Sequence, residues 1–314
     1  AMARLRQNAA TWCIVLALGL LTPAPTCAQS RVSGIGAPPA APEPDLGPPL
    51  ADFESGVSFI DSALPRSTLR LRFDGSNHNF RPTRAEYLFP GDGFRVPETK
   101  VNTQELNTYV EYGLNQWFST FMETPFKWID PEQNGNVYGV GDLHFGMKFA
   151  GWNSEALVTA FQLRFGAHTS QHVLTGNGHW SVEPSLLFNW RPTPYLTMEG
   201  QVGYWVSMGG TDFAGDILKY GLGLSYGGRT DSAIQLMPVA EIIGWTVTGG
   251  KETFASAPGV FLTESAAGDT VLSGCLGLRF TLGQAGDVYA GYARCFTGQT
   301  WYRDMLRVEF RLFY

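Results

Sequence analysis

Few side chains of this sequence are spaced for covalent chemistry. The sharpest pair is His179 and Ser181, with Trp180 between them. A spacing of two puts both side chains on one face of a strand, and a nucleophile needs its base that close. A hydrolase acting on membrane lipid from a barrel wall uses such a pair, but facing outward. Here His179 and Ser181 share the parity of Glu183 and Asn189, an inward parity, and no third member follows at a suitable place. His78, His144, His168 and His172 are scattered; the last two share one loop, which reads as solvated rather than metal-binding. Gly139-Val140-Gly141 runs into a strand and not a helix, so no phosphate cradle is built. Cys275 and Cys295 fall on neighbouring strands about one diagonal step apart, compatible with a bridge or with two buried thiols, and no C-x-x-C spacing is present. The expectation is a protein without catalytic residues, metal or cofactor.

The other groups able to do chemistry are charges embedded in apolar runs, and the elements carrying them decide their role. Hydrophobic residues make up 44% of the 314, yet mean hydropathy is only -0.07, so apolar residues are interspersed. The longest apolar run, Trp12 to Leu21, has 10 residues, half of what a membrane-crossing helix needs at roughly 20. Any membrane crossing would therefore require a closed barrel. Glycine is abundant at 37, aromatics reach 13% and charge only 16%, a mix that suits short strands and aromatic girdles. A net charge of -6 leaves no basic patch for nucleic acid.

Residues 1–28 read as a secretory signal peptide: Arg4 and Arg6, the apolar run, then Pro23, Pro25 and the small residues Thr26-Cys27-Ala28 before an expected cleavage. Residues 29–65 read as a proline-rich periplasmic segment, with six prolines from Pro38 to Pro49; such composition cannot bury enough surface to offset its ordering entropy. Within it, Phe53, Val57, Phe59 and Ile60 could dock against a barrel mouth.

From residue 66 the pattern alternates with period two. Strands are expected at 66–74, 104–114, 117–128, 139–150, 155–167, 179–191, 194–208, 216–227, 232–248, 269–282, 286–296 and 304–314. Short and long connections alternate between them, as between the periplasmic turns and outer loops of outer-membrane barrels. The expected fold is thus an all-β, up-and-down antiparallel barrel of about twelve strands spanning the outer membrane, 66–314. The last strand ends Phe310-Arg311-Leu312-Phe313-Tyr314. It resembles the terminal signal read by the barrel assembly machinery. Pro125, Pro184 and Pro238 should each mark a bulge or a strand end.

Parity assigns the charged face of each strand to the lumen and the apolar face to lipid. Pore-lining candidates are then Arg70, Arg72, Glu111, Glu123, Asp142, Lys148, Arg164, Glu183, Arg191, Glu199, Lys219, Glu241, Arg279, Arg307, Glu309 and Arg311, with Asp74 and Lys127 beside them. Signs nearly balance, which fits either a mixed-charge pore or a salt-bridged filled interior. Strand 286–296 gives no consistent parity, because Tyr289 and Arg294 disagree. Trp117, Trp128, Trp152, Trp180, Trp190, Tyr195 and Tyr204 fall near strand ends as interfacial girdles.

One stretch carries a family pattern. Tyr112-Gly113-Leu114 precedes Glu123-Thr124-Pro125, then Gly139-Val140-Gly141-Asp142-Leu143 and Gly146-Met147-Lys148-Phe149. This resembles the outer-membrane barrels described as transporters of the phenol meta-degradation pathway, whose pattern is Tyr-Gly-Leu, Glu-x-Pro, Gly-x-Gly-Asp-Leu and Lys-Tyr; Phe149 replaces the Tyr. The resemblance implies uptake of small, often aromatic compounds and carries over no catalytic or binding residue. The expected function is a passive channel or transporter for small solutes, with outer-membrane lipid as surroundings. The rival is a structural or surface-binding barrel with a plugged lumen, in which the long loops 75–103 and 249–268 would carry function.

Overall fold

A computed structural model describes residues 55–79, 100–132, 134–170, 175–210, 212–227, 234–257, 260–283, 285–297 and 302–314. The expected signal peptide, the proline-rich stretch to residue 54 and Arg81, Arg84, Asp92 and Arg95 of the first long loop lie outside those residues.

Among the described residues fifteen strands form: β1 Thr68–Asn79, β2 Val101–Asn115, β3 Phe118–Pro131, β4 Val137–Val140, β5 Leu143–Asn153, β6 Leu157–Ala167, β7 Trp180–Thr193, β8 Leu196–Met208, β9 Ile217–Tyr226, β10 Ile234–Val247, β11 Lys251–Ala257, β12 Val260–Ser265, β13 Thr270–Leu282, β14 Gly286–Cys295 and β15 Asp304–Phe313. Each barrel strand pairs antiparallel with its sequence neighbours, and β1 pairs with β15. The sheet therefore closes. β4 and β5 are one barrel strand broken at residues 141–142, so the barrel has twelve staves. β11 and β12 form a separate hairpin within the stretch 249–268 that was expected as a long loop.

The barrel is inside-out relative to a water-soluble protein. Leu71, Phe73, Met122, Phe145, Leu186, Val202, Leu222, Ile242, Leu276, Leu306 and Val308 are exposed on the outer face. Such a continuous apolar belt has no place on a monomeric soluble surface and matches a hydrocarbon surround. At the closing seam, Leu69, Leu71 and Phe73 pair outward with Leu312, Phe310 and Val308, while Arg70, Arg72 and Asp74 pair inward with Arg311, Glu309 and Arg307. All seven girdle aromatics are exposed.

Each strand proline interrupts a ladder, because it has no N–H to donate. Pairing of β9 with β10 begins only after Pro238, at Val239. The β7–β8 ladder lapses around Pro184 and resumes in the same register at Ser185. Pro125 lies where β3 changes partner from β5 to β4, and its carbonyl accepts the Gly141 N–H at 2.8 Å. The ambiguous strand, β14, is resolved: Asp287, Tyr289, Ala293 and Cys295 are buried inward and Arg294 is exposed at the long-loop end. Cys275 and Cys295 are both buried free thiols, with Cys275 opposite Ala293 and Cys295 opposite Ser273.

Candidate functional site

The lumen is not empty. Residues 55–66 enter it and are gripped by the barrel wall, so the expectation of a wholly periplasmic 29–65 segment does not hold for its final part. The grip is made to the peptide backbone. Glu199 Oε1 accepts the N–H groups of Gly56 (2.7 Å) and Val57 (3.2 Å). Glu241 accepts those of Ser58 (3.0 Å) and Phe59 (2.9 Å). Gln201 and Asn189 accept from Asp61 and Ala63. Arginines hold the carbonyls: Arg279 those of Gly56 and Val57 (both 2.7 Å), Arg307 that of Ser58 (2.6 Å) and Arg311 that of Ser55 (2.6 Å). Carboxylates to amides and guanidiniums to carbonyls are charge-assisted bonds, about twice as strong as neutral ones.

Packing completes the seat. On the inner face of β9, glycines leave a groove: a Cβ at Gly223 would strike Val57, and one at Gly221 would press on Ile60. Phe59 lies under the Arg307 guanidinium, 3.7 Å from its ring centre. Val57, Ile60, Val239 and Ile243 share one buried apolar cluster.

The remaining lumen charges pair among themselves. Arg307 makes a bidentate contact with Asp74 at 2.7 Å. Asp287 binds both Arg279 and Arg311, and Glu309 also contacts Arg279. Lys148 binds Glu111 at 3.0 Å and Lys219 binds Glu183 at 2.7 Å. Arg164 reaches Asp61 of the inner segment at 2.7 Å. Burial alone would raise the Asp61 carboxyl, but Arg164 and Arg70 outweigh it and hold it well below the usual carboxylate range.

Fourteen of the sixteen pore-lining candidates thus line or support the filled lumen; two do not. Arg191 lies at the β7–β8 turn, where its guanidinium caps the Pro194 carbonyl at 2.7 Å. Asp142 is buried beneath an outer loop, accepting from Thr169 (3.1 Å), Ser170 (3.0 Å) and Asn177 (2.5 Å). Parity was right for both, but each lies where its strand ends. Residues missed from sequence are Asp61, Gln201 and Asp287. Strand parity could have found Gln201 and Asp287, but not Asp61, which lies outside any strand. His179 and Ser181 are both buried on the lumen side, away from the lipid that a membrane hydrolase would need to reach.

The pattern residues of 112–149 have structural roles here. Gly113 lets the chain leave the lumen, since a Cβ there would lie 3.2 Å from Arg66. Lys148 holds the Leu64 carbonyl at 3.4 Å. Glu123 is shared by Arg70, Arg72 and Arg164 at 3.5–3.7 Å. Gly141 lies against the Pro125 ring.

The inner segment divides the lumen. Toward the long loops lies a cavity of about 320 Å³, floored by Phe59, Ile60 and Asp61. Toward the short turns lies a pocket of about 50 Å³ beside Arg66, Thr68 and Lys148. The larger is at the lower end of the range for small-molecule sites, roughly 300–1,000 Å³.

Comparison with known proteins agrees with this architecture. No curated protein is similar in sequence. An outer membrane channel from Pseudomonas putida F1 superposes with a TM-score of 0.55 at 12% identity, over 84% of this chain and 100% of that one. The β domain of the Bordetella autotransporter BrkA gives 0.48 at 13%, over 79% and 100%, and the NanC porin 0.45 at 9%, over 78% and 99%. The family described as "Putative MetA-pathway of phenol degradation" matches residues 89–227. The chain is an outer-membrane β-barrel that resembles this family across those residues.

Proposed function

We propose that the chain is a channel for small solutes across the outer membrane, working by passive diffusion, with residues 55–66 setting its resting permeability. The observation that carries this reading is the cavity of about 320 Å³ inside the barrel, walled by polar and charged side chains and reaching the segment that closes it. The match to a family described by phenol degradation suggests small hydrophobic or aromatic compounds as solutes, and the P. putida relative is described as a channel. Export by the leader and insertion through the Phe310–Tyr314 strand would place the short turns in the periplasm. A second reading, a barrel kept plugged for structure or surface binding, is favoured by the same segment, which fills the lumen centre.

Single-channel conductance of residues 29–314 in a planar bilayer, beside a chain lacking 55–65, separates the readings. Steady conductance in the first supports a passive channel. Silence in the first with conductance in the second supports a channel closed by its own segment. Silence in both, with the barrel folded, supports the plugged structural protein.

A further inference from the structure

We infer that Asp61 is the side chain that closes the lumen at rest: a septum of four charged side chains, centred on Asp61, parts the larger cavity from the smaller pocket and keeps the closed barrel watertight. The inference rests on the lumen being the solute path and deepens it.

Both spaces border the inner segment, yet among the described residues their walls share one member. Asp61 lines the larger cavity and the smaller pocket alike. Phe59 and Ile60 before it line the larger alone, and Ser62 and Leu64 after it the smaller alone. Beside Asp61, Glu123 and Arg164 face the larger cavity and Arg70 faces the smaller pocket. What parts the two spaces here is the contact among these four side chains.

The contacts are polar throughout. Arg164 donates to Asp61 Oδ2 at 2.7 Å and Gln162 donates to the same oxygen at 3.0 Å. Arg70 approaches Oδ1 at 4.0 Å and Glu123 at 3.7 Å, and Glu123 lies 3.7 Å from Arg164. Two cations meet two anions, so the septum carries no net charge. Each of the four side chains keeps 7–17% of its surface open, so none is sealed into the wall. An apolar side chain would fill such a gap at least as stably, because a buried ion pair gains little over apolar packing. Charges in contact can instead exchange partners, and Arg70 already stands between Asp61 and Glu123.

The Asp61 side chain is separable from the grip on the segment. The amides of residues 56–59 are held by Glu199 and Glu241, that of Asp61 by Gln201 and that of Ala63 by Asn189. Shortening Asp61 leaves all of these in place and removes only the side chain common to both spaces.

The test is osmotic water permeability of lipid vesicles carrying refolded residues 29–314, read by stopped-flow light scattering against protein-free vesicles. The parent, and Asp61→Glu, which keeps charge and bulk, should add little permeability. Asp61→Ala should raise it several-fold, and the chain lacking 55–65 should raise it further. Each chain is checked for the heat-shifted mobility of a folded barrel, and Asp61→Ser replaces the alanine variant if that one does not refold. The inference is overturned if folded Asp61→Ala is as tight as the parent while the chain lacking 55–65 leaks, or if the parent or Asp61→Glu leaks as Asp61→Ala does. It is also overturned if Asp61→Ala leaks as much as the chain lacking 55–65, which would make Asp61 an anchor of the segment. A folded chain lacking 55–65 that passes no water overturns the channel reading, and this inference with it.

Discussion

Replacing Glu241 by alanine should open the barrel. Glu241 is buried and accepts the backbone N–H groups of Ser58 and Phe59 at 3.0 and 2.9 Å. A hydrogen bond to a charged group is worth about 1.5–3 kcal/mol, so two amides left dry would cost about 3–6 kcal/mol by the same scale. Two effects reduce this. Phe59 borders the larger cavity, so water can reach its amide. The variant also no longer buries a carboxylate, whose desolvation opposed docking. A net loss of about 1.5–3 kcal/mol remains, and at about 1.4 kcal/mol per tenfold the docked-to-undocked ratio falls roughly tenfold to a hundredfold. The assay is single-channel conductance of the refolded variant beside the parent, with strand content checked by circular dichroism. The expected result is longer or more frequent open intervals at an unchanged open-state conductance. Identical open occupancy in a folded variant would refute the argument that main-chain contacts to this carboxylate hold the segment in place.

Three further outcomes are expected. Gly223→Leu should also raise open occupancy, because its Cβ would strike Val57 and crowd Glu241 while the β8–β9–β10 ladder needs no side chain there; unchanged traces would place the segment elsewhere. Lys148→Met should lower stability to urea by about 3–5 kcal/mol, since it strands a buried carboxylate on Glu111, its partner at 3.0 Å, and adding Glu111→Gln should restore most of the loss. Leu222→Arg, on the exposed outer face of β9, should cost about 2–4 kcal/mol in folding from urea into lipid vesicles; a neutral effect would contradict a lipid-facing position.

The barrel was legible because strand parity is local. Arg70 and Arg72 alternating with Leu69, Leu71 and Phe73 state which face meets lipid without reference to any other strand. β14 resisted this reading because Arg294 sits at the end of its strand, where parity no longer implies the lumen. The hairpin of β11 and β12 was missed inside a stretch read as loop. Arg191 and Asp142 were misplaced for the same reason as Arg294: parity gives the side of the wall, not the depth.

What the sequence by itself determined is the architecture: twelve staves, an apolar exterior and a charged interior, each a consequence of the two-residue period and of the cost of burying charge in hydrocarbon. What only the tertiary structure decided is how the interior is filled. Glu199 lies 143 residues from Gly56, and Glu241 lies 183 from Ser58; nothing local in either segment announces the other. Residues 55–65 carry no period because they pair with no strand, and most of their hydrogen bonds to the wall are made by backbone groups, which are the same in every residue.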